Sequence, residues 1–246
     1  MTGPLPPPPS LSRQELEQSL RDDPIAELGR VGIGSNAVFL ALLETSRGRV
    51  RAIYKPQRGE RPLWDFPEGS LHRREVAAAE VDRALGWGFL PATVLRVDAP
   101  LGVGSIQEYV AEPPKGLEID HDLVEQQLRG LATLDVIINN ADRKSAHLLI
   151  DERGQLKGID HGVTFSRDFK LRTVLVDLGG SPVPEVWLAG LRSLLDDQAR
   201  LLELRTRLRP LLSTAEIRSF EQRSRALVAS GQLPTLHPWY GRPFEW

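Results

Sequence analysis

The stretch over residues 135–165, DVIINNADRKSAHLLIDERGQLKGIDHGVTF, constrains the fold more than any other part of the chain. It opens as the end of a helix, with Leu131, Leu134, Val136 and Ile137 at apolar positions of a helical period. A polar run, Asn139-Asn140-Ala141-Asp142-Arg143-Lys144-Ser145-Ala146-His147, then breaks the helix. Residues 148–150 read as a short apolar strand, 151–154 as a turn and 156–159 as the returning strand, and Asp160-His161-Gly162 closes a β-hairpin. Asp142 and Asp160 therefore stand at the two open ends of one hairpin. Paired strands lie about 5 Å apart, so the two carboxylates share a small volume. Phosphoryl transfer uses such a pair, one carboxylate positioning the attacking hydroxyl and the other holding a divalent metal on the phosphates. The plainer reading is that both aspartates cap turns. The glycine loop and lysine upstream favour the first reading.

The bulk properties narrow the classes. A chain of 246 residues with 41% hydrophobic content can fill one large domain or two lobes. Net charge is -2 and the isoelectric point about 6.2, so no global nucleic-acid or membrane footprint is expected. The absence of cysteine excludes disulfides, thiolate metal sites and cysteine nucleophiles, and fits a cytoplasmic protein. No apolar run reaches the ~18 residues of a membrane span, and the first residues lack a basic-then-apolar secretion pattern.

Taken in order, residues 1–10 (MTGPLPPPPS) read as a disordered proline-rich tail. Residues 11–28 read as a helix capped by Ser12, with Glu15 and Glu17 in its first turns. Gly29-Arg30-Val31-Gly32-Ile33-Gly34-Ser35-Asn36 and the apolar run after it read as strand, glycine-containing loop and strand. Such a loop lets backbone amides approach phosphate oxygens closely, and it also serves as an ordinary hairpin turn. It is not the dinucleotide-binding arrangement, because a strand rather than a helix follows. In VRAIYKP (50–56), Ala52 and Tyr54 face one way and Ile53 and Lys55 the other. A lysine beside apolar Ile53 favours an anionic partner, from phosphate or carboxylate, and the plainer reading is a solvent-facing lysine at a strand end. The strong helix expected at 71–85 offers Glu75 in its first turn, with Glu80 as the rival. Residues 93–97 and 103–110 give two more strands, and Glu112-Pro113-Pro114-Lys115-Gly116 breaks the pattern. The expected organisation is a tail (1–10), a β-rich N-lobe (11–112) and a mainly helical C-lobe (113–246). Helices are expected at 122–139, 183–194, 197–212 and 214–229, a strand at 172–176, and irregular structure at 233–246. Arg143, Lys144, Arg167, Lys170 and Arg172 suggest an anionic ligand, or a solvated basic surface.

The order of these motifs carries a resemblance. A glycine loop in a hairpin, Ile53-Tyr54-Lys55-Pro56, a helix with Glu75, the hinge Gln107-Glu108-Tyr109-Val110, Asn140-Ala141-Asp142-Arg143 and Asp160-His161-Gly162 follow one another. This resembles the phosphatidylinositol 3-/4-kinase-related branch of the protein-kinase-like fold, HipA-like atypical kinases included, and small actinobacterial members most of all. The resemblance covers about residues 29–180, and it implies an α+β, two-lobed protein-kinase-like fold. It implies that Lys55 holds the α- and β-phosphates of ATP and that Glu75 orients Lys55. Gly32, Gly34, Ser35 and Asn36 would cover the phosphates, and Gln107, Glu108, Tyr109 and Val110 would flank adenine. Asp142 would accept or position the substrate hydroxyl, and Asp160 would bind Mg²⁺ or Mn²⁺. The family usually carries asparagine, its second metal ligand, five residues after the catalytic aspartate. Here His147 occupies that place, and imidazole suits Mn²⁺ better than Mg²⁺.

The expected activity is ATP-dependent phosphoryl transfer to a hydroxyl of a small polyol or inositol-like molecule, or of a protein serine or threonine. The expected protein is a cytoplasmic monomer with no nucleic-acid partner and no membrane insertion. Two alternatives remain open: a nucleotide-binding pseudokinase, and AMP transfer on the same fold.

Overall fold

The computed structural model describes residues 11–31, 36–237 and 241–243. Gly32, Gly34 and Ser35, and the proline-rich tail, lie outside the described residues. The chain divides into two compact units, one formed by the described residues of Met1–Val76 and Pro91–Tyr109, the other by those of Ala77–Leu90 and Val110–Trp246.

The first unit is built on an antiparallel sheet of five strands in the order β1-β2-β3-β5-β4: β1 (Ile25–Val31), β2 (Val38–Thr45), β3 (Gly48–Pro56), β4 (Thr93–Arg96) and β5 (Gly104–Glu108). β3 follows the expected two-residue alternation. Val50, Ala52 and Tyr54 are buried, while Ile53 and Lys55 on the other face are only half-buried. The buried face packs into one core with Leu20, Ala41, Leu43, Val94 and Ile106. Gly104 pairs with Pro56, and a Cβ there would stand 2.8 Å from the Pro56 Cα, so glycine is required for the close approach. Helix α1 (Arg13–Asp22) begins at Ser12 with a reciprocal capping box to Glu15. It ends six residues earlier than the leucine spacing suggests, because Pro24 cannot continue it and Ile25 to Leu28 pair with β2 instead. Arg96 fixes its C-terminal end, donating from Nη1 to the Leu20 carbonyl at 3.1 Å.

Helix α2 (Leu71–Leu85) falls where the sequence places it. Its first six residues count with the first unit and the rest with the second. It stops at Gly86, whose φ of 70° is the left-handed conformation of a helix terminator.

The second unit is mainly helical: α3 (His121–Ile138), α4 (Glu185–Asp196), α5 (Gln198–Leu208) and α6 (Thr214–Ser230). Leu131, Leu134, Leu191, Leu194, Leu204, Leu208 and Phe220 are almost fully buried, as their helical spacing requires. Trp87, Phe89 and Trp187 form a cluster of tilted rings against Gly130, where a Cβ would stand 2.7 Å from the Trp187 ring. A two-stranded hairpin, β6 (Leu148–Ile150) with β7 (Leu156–Gly158), follows α3 in sequence. Its turn is closed by the Asp151 carboxylate, which accepts from the Arg153 and Gln155 amides, both at 2.9 Å. The strand expected at 172–176 is not formed. Thr173 makes one isolated parallel bridge to Arg143, and a single 3-10 turn follows at Val176–Leu178. The backbone of that segment is taken up by the polar loop instead: Arg172 N–H donates to Asn140 O and Val174 N–H to Arg143 O, both at 3.0 Å.

Candidate active site

The first unit supplies a lysine held by a carboxylate. Lys55 stands one residue before the end of β3, and Glu75 stands in the second turn of α2. Lys55 Nζ lies 2.5 Å from Glu75 Oε1, and the Glu75 side chain is only 4% exposed. A carboxylate this buried is stable only with a cation beside it. The rival, Glu80, is engaged by Arg83 at 2.5 Å. The start of α2 is fixed by Glu60, whose carboxylate accepts from the Leu71 and His72 amides at 3.1 and 2.7 Å and meets the His72 ring at 2.6 Å. Burial pushes the Glu60 carboxyl up, but the bonds from His72 and the two amides outweigh it and leave the group below its ordinary value.

The other expected residues of this unit are placed as follows. Asn36 turns its side chain onto the backbone, Oδ1 accepting from Arg61 N–H at 2.7 Å. Gln107 is buried and donates to Thr93 Oγ1 at 2.9 Å. Glu108 accepts the Ala92 amide at 3.1 Å, and the Tyr109 ring lies under the Arg51 guanidinium at 4.4 Å. The side chains of Gln107, Glu108 and Tyr109 are thus employed within the unit. Val110, half-buried, belongs to the second unit.

The second unit supplies the carboxylates. α3 ends at Asn139, in the left-handed conformation with φ of 56°. Asn139 itself ties down the segment after the hairpin, donating to Ser166 O and Asp168 O and accepting from Lys170 N–H. The polar loop then turns on a buried ion pair. Arg143, fully buried, makes a two-point fork on Asp135, Nε to Oδ2 at 2.8 Å and Nη2 to Oδ1 at 2.9 Å. Its Nη1 donates to Ile159 O at 2.8 Å, and Nη2 also meets the His161 ring. Arg143 therefore joins α3, the polar loop and the end of the hairpin. It is a buried structural cation, and neither a ligand-facing group nor part of a solvated basic surface. Sequence reasoning missed Asp135 as its partner. The available signal was an aspartate among apolar residues at the buried end of a helix.

Around this pair stand the groups that the hairpin pattern brings together. Asp142 is hydrogen-bonded through its amide to Asn140 Oδ1 at 3.0 Å and lies 3.1 Å from Lys144 Nζ. Burial pushes its carboxyl above the ordinary aspartate value, with the Asp160 charge adding to the effect against the pull of Lys144. His147 Nε2 lies 3.3 Å from Asp160 Oδ2. Its Nδ1 accepts from Lys144 N–H at 3.4 Å, which leaves Nε2 to carry the proton toward Asp160. Burial holds His147 below the ordinary histidine value, so the ring is neutral at pH 7. Asp160, two residues past the end of β7, has a positive φ of 62° and a half-exposed side chain. No group of three or more His, Cys, Asp or Glu able to hold a metal occurs among the described residues. Asp160 suits a divalent ion that takes one or two protein ligands and completes its shell with phosphate oxygens and water, and His147 would join it only by giving up the Nε2 proton.

No family model matches the chain. Among solved structures it is similar to the hydra Fam20 with sugar (TM-score 0.63, 13% identity, covering 88% of this chain and 87% of that one). It is also similar to the Golgi casein kinase with Mn/ADP bound (TM-score 0.61, 16% identity, 88% and 74%). The Helicobacter pylori proinflammatory kinase CtkA matches with a TM-score of 0.52 at 10% identity, over 87% of this chain and 94% of that one. The fold is therefore protein-kinase-like and α+β, with a β-sheet-rich part and a helical part. Among curated proteins the chain matches Protein Rv2133c of Mycobacterium tuberculosis at 33% identity over 270 aligned positions, covering 95% of each. The chain belongs to the family of that mycobacterial protein.

Proposed function

We propose that this protein is an ATP-dependent phosphotransferase of the phosphatidylinositol 3-/4-kinase-related, HipA-like type. It would act on a hydroxyl of a small polyol or inositol-like molecule, or of a protein serine or threonine. The observation that carries the reading is the Lys55–Glu75 pair at 2.5 Å, because in this fold a lysine oriented by a helix carboxylate is the anchor for nucleotide phosphates. Lys55 binds the α- and β-phosphates, with Gly32, Gly34, Ser35 and Asn36 covering them and the backbone of 107–110 flanking adenine. Asp142 takes the acceptor's proton as the acceptor oxygen bonds to the γ-phosphorus and the bond to ADP breaks. Its raised affinity for a proton suits that task. Asp160 would hold Mg²⁺ or Mn²⁺, which neutralises charge on the phosphates, and His147 would join it as a ligand by giving up its Nε2 proton. The Golgi casein kinase with Mn/ADP bound supports the choice of nucleotide and metal. A cytoplasmic monomer with no nucleic-acid partner and no membrane insertion completes the proposal. It is argued from composition and charge. Among the described residues no helix is long and apolar enough to cross a membrane.

A nucleotide-binding pseudokinase is the second reading, favoured by His147 standing where the family usually has asparagine and engaging Asp160 directly. Incubation with ATP labelled at the γ-phosphate and Mn²⁺ or Mg²⁺, against panels of inositols, sugars and peptides, separates the two. Label transferred by the wild type and not by Asp142→Asn supports the phosphotransferase. Nucleotide binding without transfer to any acceptor or to water supports the pseudokinase, and AMP on the product would mean nucleotidyl transfer.

A further inference from the structure

The loop between β3 and α2 lines an open cavity of about 470 Å³ within the first unit. Arg58 and Arg61 line it, and neither has a carboxylate partner among the described residues. Of the two carboxylates in the lining, Glu60 is already saturated by two amides and the His72 ring, and Glu68 is exposed at the rim. Leu63 and Phe66 give the cavity an apolar wall, and Phe66 is fixed from behind by the Arg74 guanidinium 4.9 Å from its ring.

The loop is anchored at several points. Gln57 N–H donates to Val103 O at 2.8 Å, Ala37 N–H to Gly59 O at 2.9 Å, and Arg61 N–H to Asn36 Oδ1 at 2.7 Å. Two lining arginines with no carboxylate partner among the described residues, beside apolar Leu63 and Phe66, match an oxyanion carried on an apolar body. We propose that this cavity binds a phosphate monoester with a small apolar body. Gly59 and Glu60 lie between the two arginines in the loop's turn, and the Glu60 carboxylate caps α2. The other end of the loop's turn is bonded to Asn36, at the edge of the glycine stretch. The proposal does not depend on the protein being a phosphotransferase.

The test is calorimetric titration of the full chain with phenyl phosphate, inorganic phosphate and phenol. Arg58→Gln/Arg61→Gln serves as the site variant and Lys55→Met as the nucleotide-anchor variant. Both arginines are exposed, so the site variant should keep the wild-type melting temperature. Phenyl phosphate should bind the wild type and Lys55→Met alike, and at least about tenfold more weakly to the arginine variant, since charge-assisted forks carry the affinity. Inorganic phosphate should bind more weakly than phenyl phosphate, and phenol not at all. Equal binding by the wild type and the arginine variant, or loss in Lys55→Met alone, would overturn the site. Inorganic phosphate binding as tightly as phenyl phosphate would overturn the apolar body.

Discussion

Arg143→Met is the sharpest perturbation of the second unit. The guanidinium and the Asp135 carboxylate are 0% and 1% exposed, joined by bonds of 2.8 and 2.9 Å, with a third bond from Arg143 to the Ile159 carbonyl at 2.8 Å. Methionine keeps much of the volume and removes every one of these donors. Asp135 is then left buried, with the Asn140 amide at 2.9 Å as its remaining donor. Breaking a buried pair from one side costs about 3–5 kcal/mol, a large part of the roughly 5–15 kcal/mol that keeps a domain folded. At about 2–4 °C per kcal/mol for a chain of this size, the melting temperature should fall by about 6–20 °C. The control is Arg192→Met, whose pair with Glu185 is exposed on both sides and should cost less than about 1 kcal/mol. Urea denaturation of wild type, Arg143→Met, Asp135→Asn and the double variant Asp135→Asn/Arg143→Met gives the coupling energy directly. An Arg143→Met chain within about 1 kcal/mol of wild type would refute the claim that this pair organises the loop.

Three further outcomes follow from the geometry. Asp142→Asn should bind nucleotide as the wild type does and lose turnover by at least about a hundredfold, in the range general-base removal produces. Because burial disfavours the ionised form, it should also melt no lower; surviving turnover would remove Asp142 as the base. Glu60 has a depressed carboxyl, so its contribution to stability is present above the ordinary glutamate value and is lost as pH falls through the lower folded value. Glu60→Gln should remove that part of the acid limb in denaturation against pH, and an unchanged limb would contradict it. His147→Asn should move the metal preference from Mn²⁺ toward Mg²⁺ in metal-dependent nucleotide binding; an unaltered profile would assign His147 to holding Asp160 by hydrogen bond.

Much of this was legible in the sequence because local rules decided it. The alternation in β3 put Lys55 on the face away from Tyr54, and the register of α2 brought Glu75 to it. The hairpin turn at 151–154 fixed which residues stand at its open ends, so Asp142 and Asp160 meet through His147 and Lys144 as the spacing implied. What was not legible depends on partners distant in sequence. Arg143 looked like one of several surface cations, because nothing local says that Asp135, eight residues back and inside α3, is buried and waiting for it. The apolar run at 172–176 looked like a strand, but its neighbour is an irregular loop that offers a single bridge instead of a ladder. The helix expected to reach Leu28 gave way at Pro24 to sheet pairing, where tertiary contacts override a short run of helical spacing.

The central claim is a metal-dependent nucleotide site, and a thermal-shift titration with ATP, ADP and GTP, each with Mg²⁺, Mn²⁺ or no metal, tests it most directly. A ligand at a hundredfold excess over its Kd adds about 2.7 kcal/mol to the native state, or about 5–10 °C for a chain of this length. The account predicts such a shift with ATP and metal, reduced in Lys55→Met and no longer metal-dependent in Asp160→Ala. No shift with any nucleotide under either metal, or an identical shift in both variants, would contradict it.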